Sequence, residues 1–226
     1  MIWAFAWLAL AGILKRRAQW PTGYTRKVFH FGIFVSAALL QATAGTRAVC
    51  LFGAMTSLVI LYAVLRGEGH LLYEAIAREK DAPHRTLYIA VPYAATLAGG
   101  VLSTIWFGPM AMTGFLVTGL GDAVGEPVGT RFGQHRYRVP SMRGVRCTRS
   151  LEGSLAVFIV SALSVLAAMH FTADTGFNAR ALVSAVLIGT AAALCEAVSP
   201  HGWDNLTMQL VPTALAAFAV QGPLSW

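Results

Sequence analysis

Eight apolar runs follow one another along almost the whole chain, and this alternation with short polar connections constrains the fold more than any other feature. The runs lie near 1–14, 29–45, 48–65, 86–106, 108–121, 151–171, 181–195 and 206–221. A helix needs about 20 mainly apolar residues to cross a bilayer, and tilt or flanking residues extend a shorter run. The sequence therefore predicts an all-α, polytopic membrane bundle of about eight transmembrane helices, with residues 1–226 as a single domain. The short 108–121 run is also compatible with a re-entrant segment.

Composition excludes an ordinary soluble domain. Charged residues make up 12% of the chain and the mean hydropathy is +0.61, whereas a soluble domain carries about a quarter charged residues. The three cysteines show no CxxC or Cys/His ligand spacing, so we expect neither a zinc site nor a disulfide framework. The net charge of +7 indicates membrane topology rather than a nucleic-acid partner.

Lysine and arginine are distributed very unequally between alternate connections. Fifteen of the 17 lie in the first, third and fifth connections, and only Arg47 and Arg180 lie in the others. The positive-inside rule then makes the rich face cytoplasmic and puts both termini outside. Nine of the ten acidic residues follow the same side, Asp174 being the exception. We expect an integral protein of a bacterial plasma membrane whose polar residues face the cytoplasm, since no organelle-targeting segment precedes the first run.

The densest polar segment is GLGDAVGEPVGTRFGQHRYR, residues 119–138. Its glycines recur every four residues, at Gly121, Gly125, Gly129 and Gly133. That stripe is typical of close helix packing, and it would also let phosphate groups approach the backbone.

Two carboxylates in that segment, Asp122 and Glu126, are four residues apart and so share one helical face. They end an apolar run, where an unpartnered carboxylate is costly. Mg²⁺ takes one or two carboxylates together with substrate phosphates, so the pair is a candidate metal site. Nearby arginines offer phosphate donors, although topology alone also explains arginines here: Arg131, Arg136 and Arg138.

Three more polar segments border apolar runs on the same predicted face: TRKVFHF (25–31), CTRSLEGSLAVF (147–158) and EAVSPHGWDNL (196–206). In the second, Ser150 is a candidate helix cap. The same helix start is also a candidate anion site, because Arg149, Gly153 and Ser154 lie beside Ser150. Residues 66–85 are expected to form an amphipathic or irregular surface loop without chemistry.

Taken in order, the four segments resemble the dolichol kinase and phytol kinase family of polyprenol and isoprenoid-alcohol kinases, which is related to the CDP-diacylglycerol synthases. The resemblance runs from about residue 24 to 212. TRKVFHFG is similar to the family's RKxxH element and GDAVGEPVGTRFGQHR to its GDxxAxxxGxxxG element. RSLEGSLAVF is similar to K-S-x-E-G-S, and EAVSPHGWDNLTMQLVP to E…P-x-G-x-D-N-L…P. Arg149 replaces the usual Lys, and Glu126 stands where the family commonly has Ala.

The resemblance implies a CTP- and Mg²⁺-dependent enzyme acting on a membrane lipid. Our first hypothesis is a lipid-alcohol kinase in which the hydroxyl attacks the γ-phosphate of CTP. The implied metal ligands are Asp122, Glu126 and Asp204. The implied catalytic residues are Asp122, His30, Glu152 and Asp204, and the choice of general base among His30 and the carboxylates stays open. The implied CTP-binding residues are Arg26, Lys27, Gly129, Arg131, Gly133, Arg149, Ser150, Gly153, Ser154 and Asn205.

Two rival functions remain. SPHGWDNLT resembles the carboxy-terminal signature of phosphatidate cytidylyltransferases, in which a lipid phosphate attacks the α-phosphate of CTP, but their basic K-R-x-x-x-x-K-D part is missing ahead of it. The second rival is a non-catalytic membrane protein or transporter, and a transporter would place charges near the bilayer midplane. Here the charges cluster on one predicted face, which argues against that class.

Overall fold

The computed structural model describes residues 1–140, 147–173 and 178–221, and these are almost entirely helical. The helices are α1 (Ile2–Ala18), α2 (Thr22–Arg66), α3 (Leu71–Glu74), α4 (Leu87–Phe107), α5 (Ala111–Leu116), α6 (Ala123–Phe132), α7 (Leu151–Ala173), α8 (Ala179–Val198) and α9 (Asp204–Gln221). Short 3₁₀ turns lie at Glu79–Asp81 and Gly108–Met110. Arg143 and Arg146 of the fifth connection and Asp174 of the sixth lie outside the described residues.

Helix α2 consists of two antiparallel helices joined at Gly45. Gly45 has φ 75° and ψ −175°, a conformation that residues with a side chain rarely adopt. His30 and Ile60, on opposite sides of this break, line the same small cavity. A straight helix would hold them about 45 Å apart at 1.5 Å per residue. The chain therefore reverses at Gly45, and the runs predicted at 29–45 and 48–65 are two helices.

A second reversal lies at Gly108, where φ is 52°. Helix α5 folds back along α4, because a ring carbon of Phe115 lies 3.5 Å from where a Cβ on Gly100 would sit. Between α5 and α6 the chain forms a π-helical segment, Val117–Asp122. Such wide turns occur frequently at functional sites, and this one ends at Asp122.

Among the described residues, four helical stretches are long and apolar enough to cross a membrane: Thr22–Arg66, Leu87–Phe132, Leu151–Thr172 and Ala179–Val198. The first two contain the reversals at Gly45 and Gly108. The all-α membrane fold is therefore confirmed. The number of eight crossings stays a prediction, since α1 and α9 have 17 and 18 residues and fall outside this group.

The glycine stripe packs against α7. A Cβ on Gly125 would lie 2.8 Å from Cγ2 of Val157, and one on Gly153 would lie 2.8 Å from the carbonyl oxygen of Gly125. Only glycine lets the two backbones approach this closely. The packing interpretation of the stripe is thereby supported, and it leaves Asp122 and Glu126 on another face of the same segment, towards α2.

A small β-hairpin joins α6 to α7, which the all-α expectation did not include. Strands β1 (Arg136–Val139) and β2 (Cys147–Ser150) are antiparallel, with Tyr137 opposite Arg149. Directly after β2, the hydroxyl of Ser150 accepts a hydrogen bond from the backbone N–H of Gly153 at 3.1 Å. This is the helix cap that the sequence predicted at the start of α7.

Candidate functional site

A polar cavity of about 370 Å³ lies at one end of the helical bundle. It is bounded by the starts of α2, α7 and α9, the end of α8, helix α6, the hairpin and the turn after α3. Its charged lining residues are Arg26, Lys27, Arg78, Lys80, Asp81, Asp122, Glu126, Arg136, Arg149, Glu196 and Asp204. The first, third and fifth connections of the sequence thus meet at one place.

Asp122 lies on the inner wall of this cavity and is almost fully buried. Lys27 Nζ donates to Asp122 Oδ2 at 2.6 Å, and His30 Nε2 lies 3.4 Å from the same oxygen. His30 Nε2 also lies 2.9 Å from the carbonyl oxygen of Thr118. Because a carbonyl only accepts, Nε2 carries the hydrogen in this contact. The π-helical turn therefore aligns His30 beside Asp122 rather than leaving its Nε2 free to take a proton.

Arg149 joins the hairpin to the last two helices. Its Nε donates to Glu196 Oε1 and its Nη2 to Asp204 Oδ2, both at 2.7 Å. Burial opposes the charge of the guanidinium, but the two carboxylates outweigh it and raise the Arg149 pKa. Ser154 extends the group, because its hydroxyl lies 2.7 Å from that of Tyr137 and donates to Glu196 Oε2 at 3.3 Å.

Glu126 is surrounded by three cations. Arg26, Arg78 and Lys80 lie 3.2, 3.3 and 3.2 Å from its carboxylate oxygens. Cations from two separate segments therefore converge on one anion in the cavity wall, an arrangement that would also suit a phosphate group.

Arg78 is the most buried of these cations, with 4% of its surface exposed. It pairs with Asp81 at 2.8 Å and donates to Nε2 of His201. Burial and the Arg78 charge lower the pKa of His201 to about 2, so this imidazole is neutral and accepts. The expectation that residues 66–85 form a surface loop is therefore wrong at Arg78, which is buried and lines the cavity.

A second, mainly apolar cavity of about 100 Å³ adjoins the polar one from within the bundle. Its hydrocarbon and aromatic lining includes Phe29, Ile33, Ile60, Ile89 and Tyr93. Five residues line both cavities: Arg26, Lys27, Asp122, His201 and Asp204. Charged and apolar compartments thus meet at Asp122 and Lys27.

Most of the residues singled out from the sequence lie at these cavities. The polar cavity is lined by Arg26, Lys27, Asp122, Glu126, Gly129, Arg136, Arg149, Ser150, Gly153, Ser154 and Asp204. His30 and Asn205 line the apolar cavity. Within the described residues, Arg131, Gly133, Arg138 and Glu152 line neither cavity. Glu152 instead accepts from His135 Nδ1 at 2.7 Å on the surface, and Arg131 lies over the ring of Phe132.

Sequence reasoning missed Arg78, Lys80 and His201 as lining residues. The first two lie in the connection after α3, where basic residues are already explained by topology. His201 lies in an ordinary-looking Pro-His-Gly turn. One signal was available, the Arg78–Asp81 spacing of three residues, which favours an ion pair on one turn.

The carboxylates of the polar cavity suit only a metal ion that takes most of its ligands from outside the protein. Within the described part of the chain, no group of three or more His, Cys, Asp and Glu side chains could hold a metal by itself. Asp122 and Asp204 line the same cavity, and the contacts of Asp122 given by the described residues all involve Oδ2. Mg²⁺ commonly takes one or two carboxylates and completes its shell with phosphate oxygens and water.

Fold and site together define an integral membrane protein with a charged cavity at one end of a helical bundle and an apolar cavity inside it. The chain is 30% identical over 219 residues to the phytol kinase of Synechocystis sp. (strain ATCC 27184 / PCC 6803 / Kazusa). The aligned region covers 96% of this chain and 86% of that protein. The chain therefore belongs to the phytol kinase family of polyprenol kinases. No family model and no solved structure matches it.

Proposed function

We propose that this protein is a membrane kinase that transfers the γ-phosphoryl group of CTP to the hydroxyl of an isoprenoid-type lipid alcohol, with Mg²⁺. The relative named phytol kinase supports the kinase class and the kind of acceptor. CTP and Mg²⁺ follow from the resemblance of the four sequence segments.

The observation that carries the proposal is the meeting of two unlike cavities at Asp122. Such a reaction needs one compartment for a polyanion from water and one for a hydrocarbon chain from the bilayer. The polar cavity supplies cations on several sides, and the apolar cavity supplies a hydrocarbon lining. The hydroxyl of a lipid alcohol placed at this junction would lie beside Lys27 and Asp122. The terminal phosphate of a donor in the polar cavity would reach the same position.

Phosphoryl transfer depends chiefly on positioning and charge neutralisation. Arg26, Lys27 and Arg149 would hold phosphate oxygens, and the apolar cavity would aim the hydroxyl at the γ-phosphorus. The alcohol oxygen then forms its bond to phosphorus while the bond to the β-phosphate oxygen breaks, giving a lipid monophosphate, CDP and a proton. We assign His30 a positioning role, because its Nε2 donates to Thr118 and the imidazole abuts Asp122.

Mg²⁺, when bound, would neutralise charge on the transferring phosphates. Asp122 and Asp204 are the residues that would hold it. Each has one oxygen engaged by a cation, Lys27 or Arg149, and that pairing favours the charged form that a metal requires.

The decisive experiment gives purified protein Mg²⁺, mixed lipid alcohols and CTP labelled at one phosphate. Label from the γ position is expected to enter the lipid, and none from the α position. Label that enters the lipid only from α-labelled CTP, with phosphatidate as acceptor, would instead establish a cytidylyltransferase. The same assay with γ-labelled ATP tests the choice of nucleotide.

A further inference from the structure

A third cavity opens beside the polar one, and we call it the side chamber. Its volume is about 520 Å³, and the connection between α1 and α2 forms one wall while the 3₁₀ turn Glu79–Asp81 forms another. Four residues line both the side chamber and the polar cavity: Arg78, Lys80, Glu126 and Thr130. The two spaces are therefore contiguous, with the Glu126 cation cluster at their boundary.

The walls of the side chamber are held together by specific contacts. Lys15 Nζ pairs with Glu79 Oε1 at 2.5 Å, and the Thr22 hydroxyl lies 3.0 Å from both Glu79 oxygens. These bonds tie the 3₁₀ turn to the end of α1 and the start of α2. The chamber is thus a built feature of the fold, of a size usual for small-ligand sites.

Its lining combines ring-bearing side chains with polar groups. Trp20, Pro21 and Tyr24 supply the rings, and Trp20 is 43% exposed. Gln19 and Thr22 add hydrogen-bonding groups. Every nucleobase has a π-face that stacks on an aromatic side chain, and a ribose needs polar partners. Rings beside polar groups, next to a cation-lined cavity, match the two ends of a nucleotide.

The other described cavities fit that ligand less well. The apolar cavity holds only about 100 Å³. An open groove of about 820 Å³ lies beside α7 and α8, but its surface is mostly hydrocarbon and it shares only Ser154 with the polar cavity.

We propose that the side chamber binds the nucleoside end of the phosphoryl donor, with the base stacked on Trp20 and the triphosphate passing the Glu126 cluster into the polar cavity. This inference rests on the proposed function for the identity of the donor. The competing role for Trp20 is that of a membrane-interface anchor, a common place for tryptophan. An anchor would leave nucleotide affinity unchanged, so the two roles are separable.

The test measures binding of labelled CTP to the full-length protein in detergent with Mg²⁺, by equilibrium dialysis. Trp20→Ala is expected to raise the Kd for CTP roughly 5- to 140-fold, the usual range for one stacked base. Trp20→Phe keeps a ring and should restore most of the affinity. Trp106→Ala is the matched control, because Trp106 is 50% exposed. It lies at the carboxyl end of α4, whereas the start of α4 lines the apolar cavity. Inorganic tripolyphosphate, as a competitor, should bind equally well to all four proteins.

Several outcomes would contradict the inference. An unchanged Kd in Trp20→Ala would make Trp20 an anchor, and a parallel loss of tripolyphosphate affinity would indicate a distorted polar cavity. Transfer of phosphate from CTP to lipid by the wild-type protein, together with a wild-type Kd for CTP in Trp20→Ala, would refute nucleoside binding in the side chamber. That result would leave the kinase function intact. If wild-type protein binds no CTP, the proposed donor and the side chamber fail together.

Discussion

Asp122 carries its charge where the polar and apolar cavities meet, and Lys27 holds one of its oxygens at 2.6 Å. We expect Asp122→Asn to lower kcat by about 100-fold or more, because the variant keeps the shape but loses the charge that would hold Mg²⁺ at the transferring phosphate. Steady-state phosphorylation of a lipid alcohol over a range of Mg²⁺ concentrations measures the effect.

The control for that variant is Glu68→Gln. Glu68 is exposed, accepts from Arg85 at 3.4 Å and lines none of the three cavities. Asp122→Asn leaves buried Lys27 without its counter-ion, so thermal unfolding in detergent is measured beside turnover. A folded Asp122→Asn protein with near-normal rates at saturating Mg²⁺ would remove Asp122 from the reaction.

At the residue scale, the sequence predicted which residues one helical turn apart share a face. It did not predict contacts between residues of distant segments. Arg26 and His30 are one turn apart, as are Asp122 and Glu126, and all four meet at the cavities. That Lys27 faces Asp122 across 95 positions follows only from tertiary packing. Arg78 could not be distinguished from a topogenic arginine until its burial against Asp81 and His201 was visible.

The contact between α6 and α7 sets where Arg149, Ser150 and Ser154 enter the site. Gly153→Ala would place a methyl group 2.8 Å from the Gly125 carbonyl oxygen, so the helices must separate. We expect about 1–3 kcal/mol of destabilisation, read as a lower melting temperature in detergent, and a loss of activity because Arg149 would shift relative to Asp204.

Gly53→Ala provides the matched comparison, since it is the same substitution within another membrane helix. Nothing lies within 4 Å of a Cβ at Gly53, and alanine is the better helix former by about 1 kcal/mol. This variant is expected to be as stable as the wild type or more so. Equal melting temperatures for Gly53→Ala and Gly153→Ala would show that the glycine stripe has no packing role.

Apolar runs were sufficient to predict most elements, because a membrane helix must satisfy its own backbone hydrogen bonds. The gap between the runs at 29–45 and 48–65 likewise corresponds to the reversal at Gly45. The hairpin was missed, since RYRV and CTRS are four-residue strands within an arginine-rich connection. The π-helical turn before α6 has no sequence signal of its own, and it follows from how α5 and α6 pack against α2 and α7.

On the scale of the whole molecule, the polar cavity and the Lys- and Arg-rich connections lie at the same end of the bundle. The sequence predicts that this end faces the cytoplasm, where a nucleotide donor would be present. Helix α8 has 20 residues and so spans about 30 Å, roughly the hydrocarbon thickness of a bilayer. Its last turn carries Glu196 into the cavity, and Arg180 lies in its first turn. The two ends of α8 therefore give a direct test of orientation.

We predict that His135 is on the cytoplasmic side and Arg180 on the opposite side. Both residues are exposed, and His135 lies beside the start of α7 at the cavity end.

The test first replaces Cys50, Cys147 and Cys195 by serine. Single cysteines are then introduced as His135→Cys or Arg180→Cys, and intact cells are treated with a membrane-impermeant thiol reagent. Arg180→Cys should be labelled at once, and His135→Cys only after the cells are permeabilised. Arg47→Cys, from the other Arg-poor connection, should behave like Arg180→Cys. Labelling of position 135 in intact cells, with positions 47 and 180 protected, would reverse the orientation and put the cavity outside the cell.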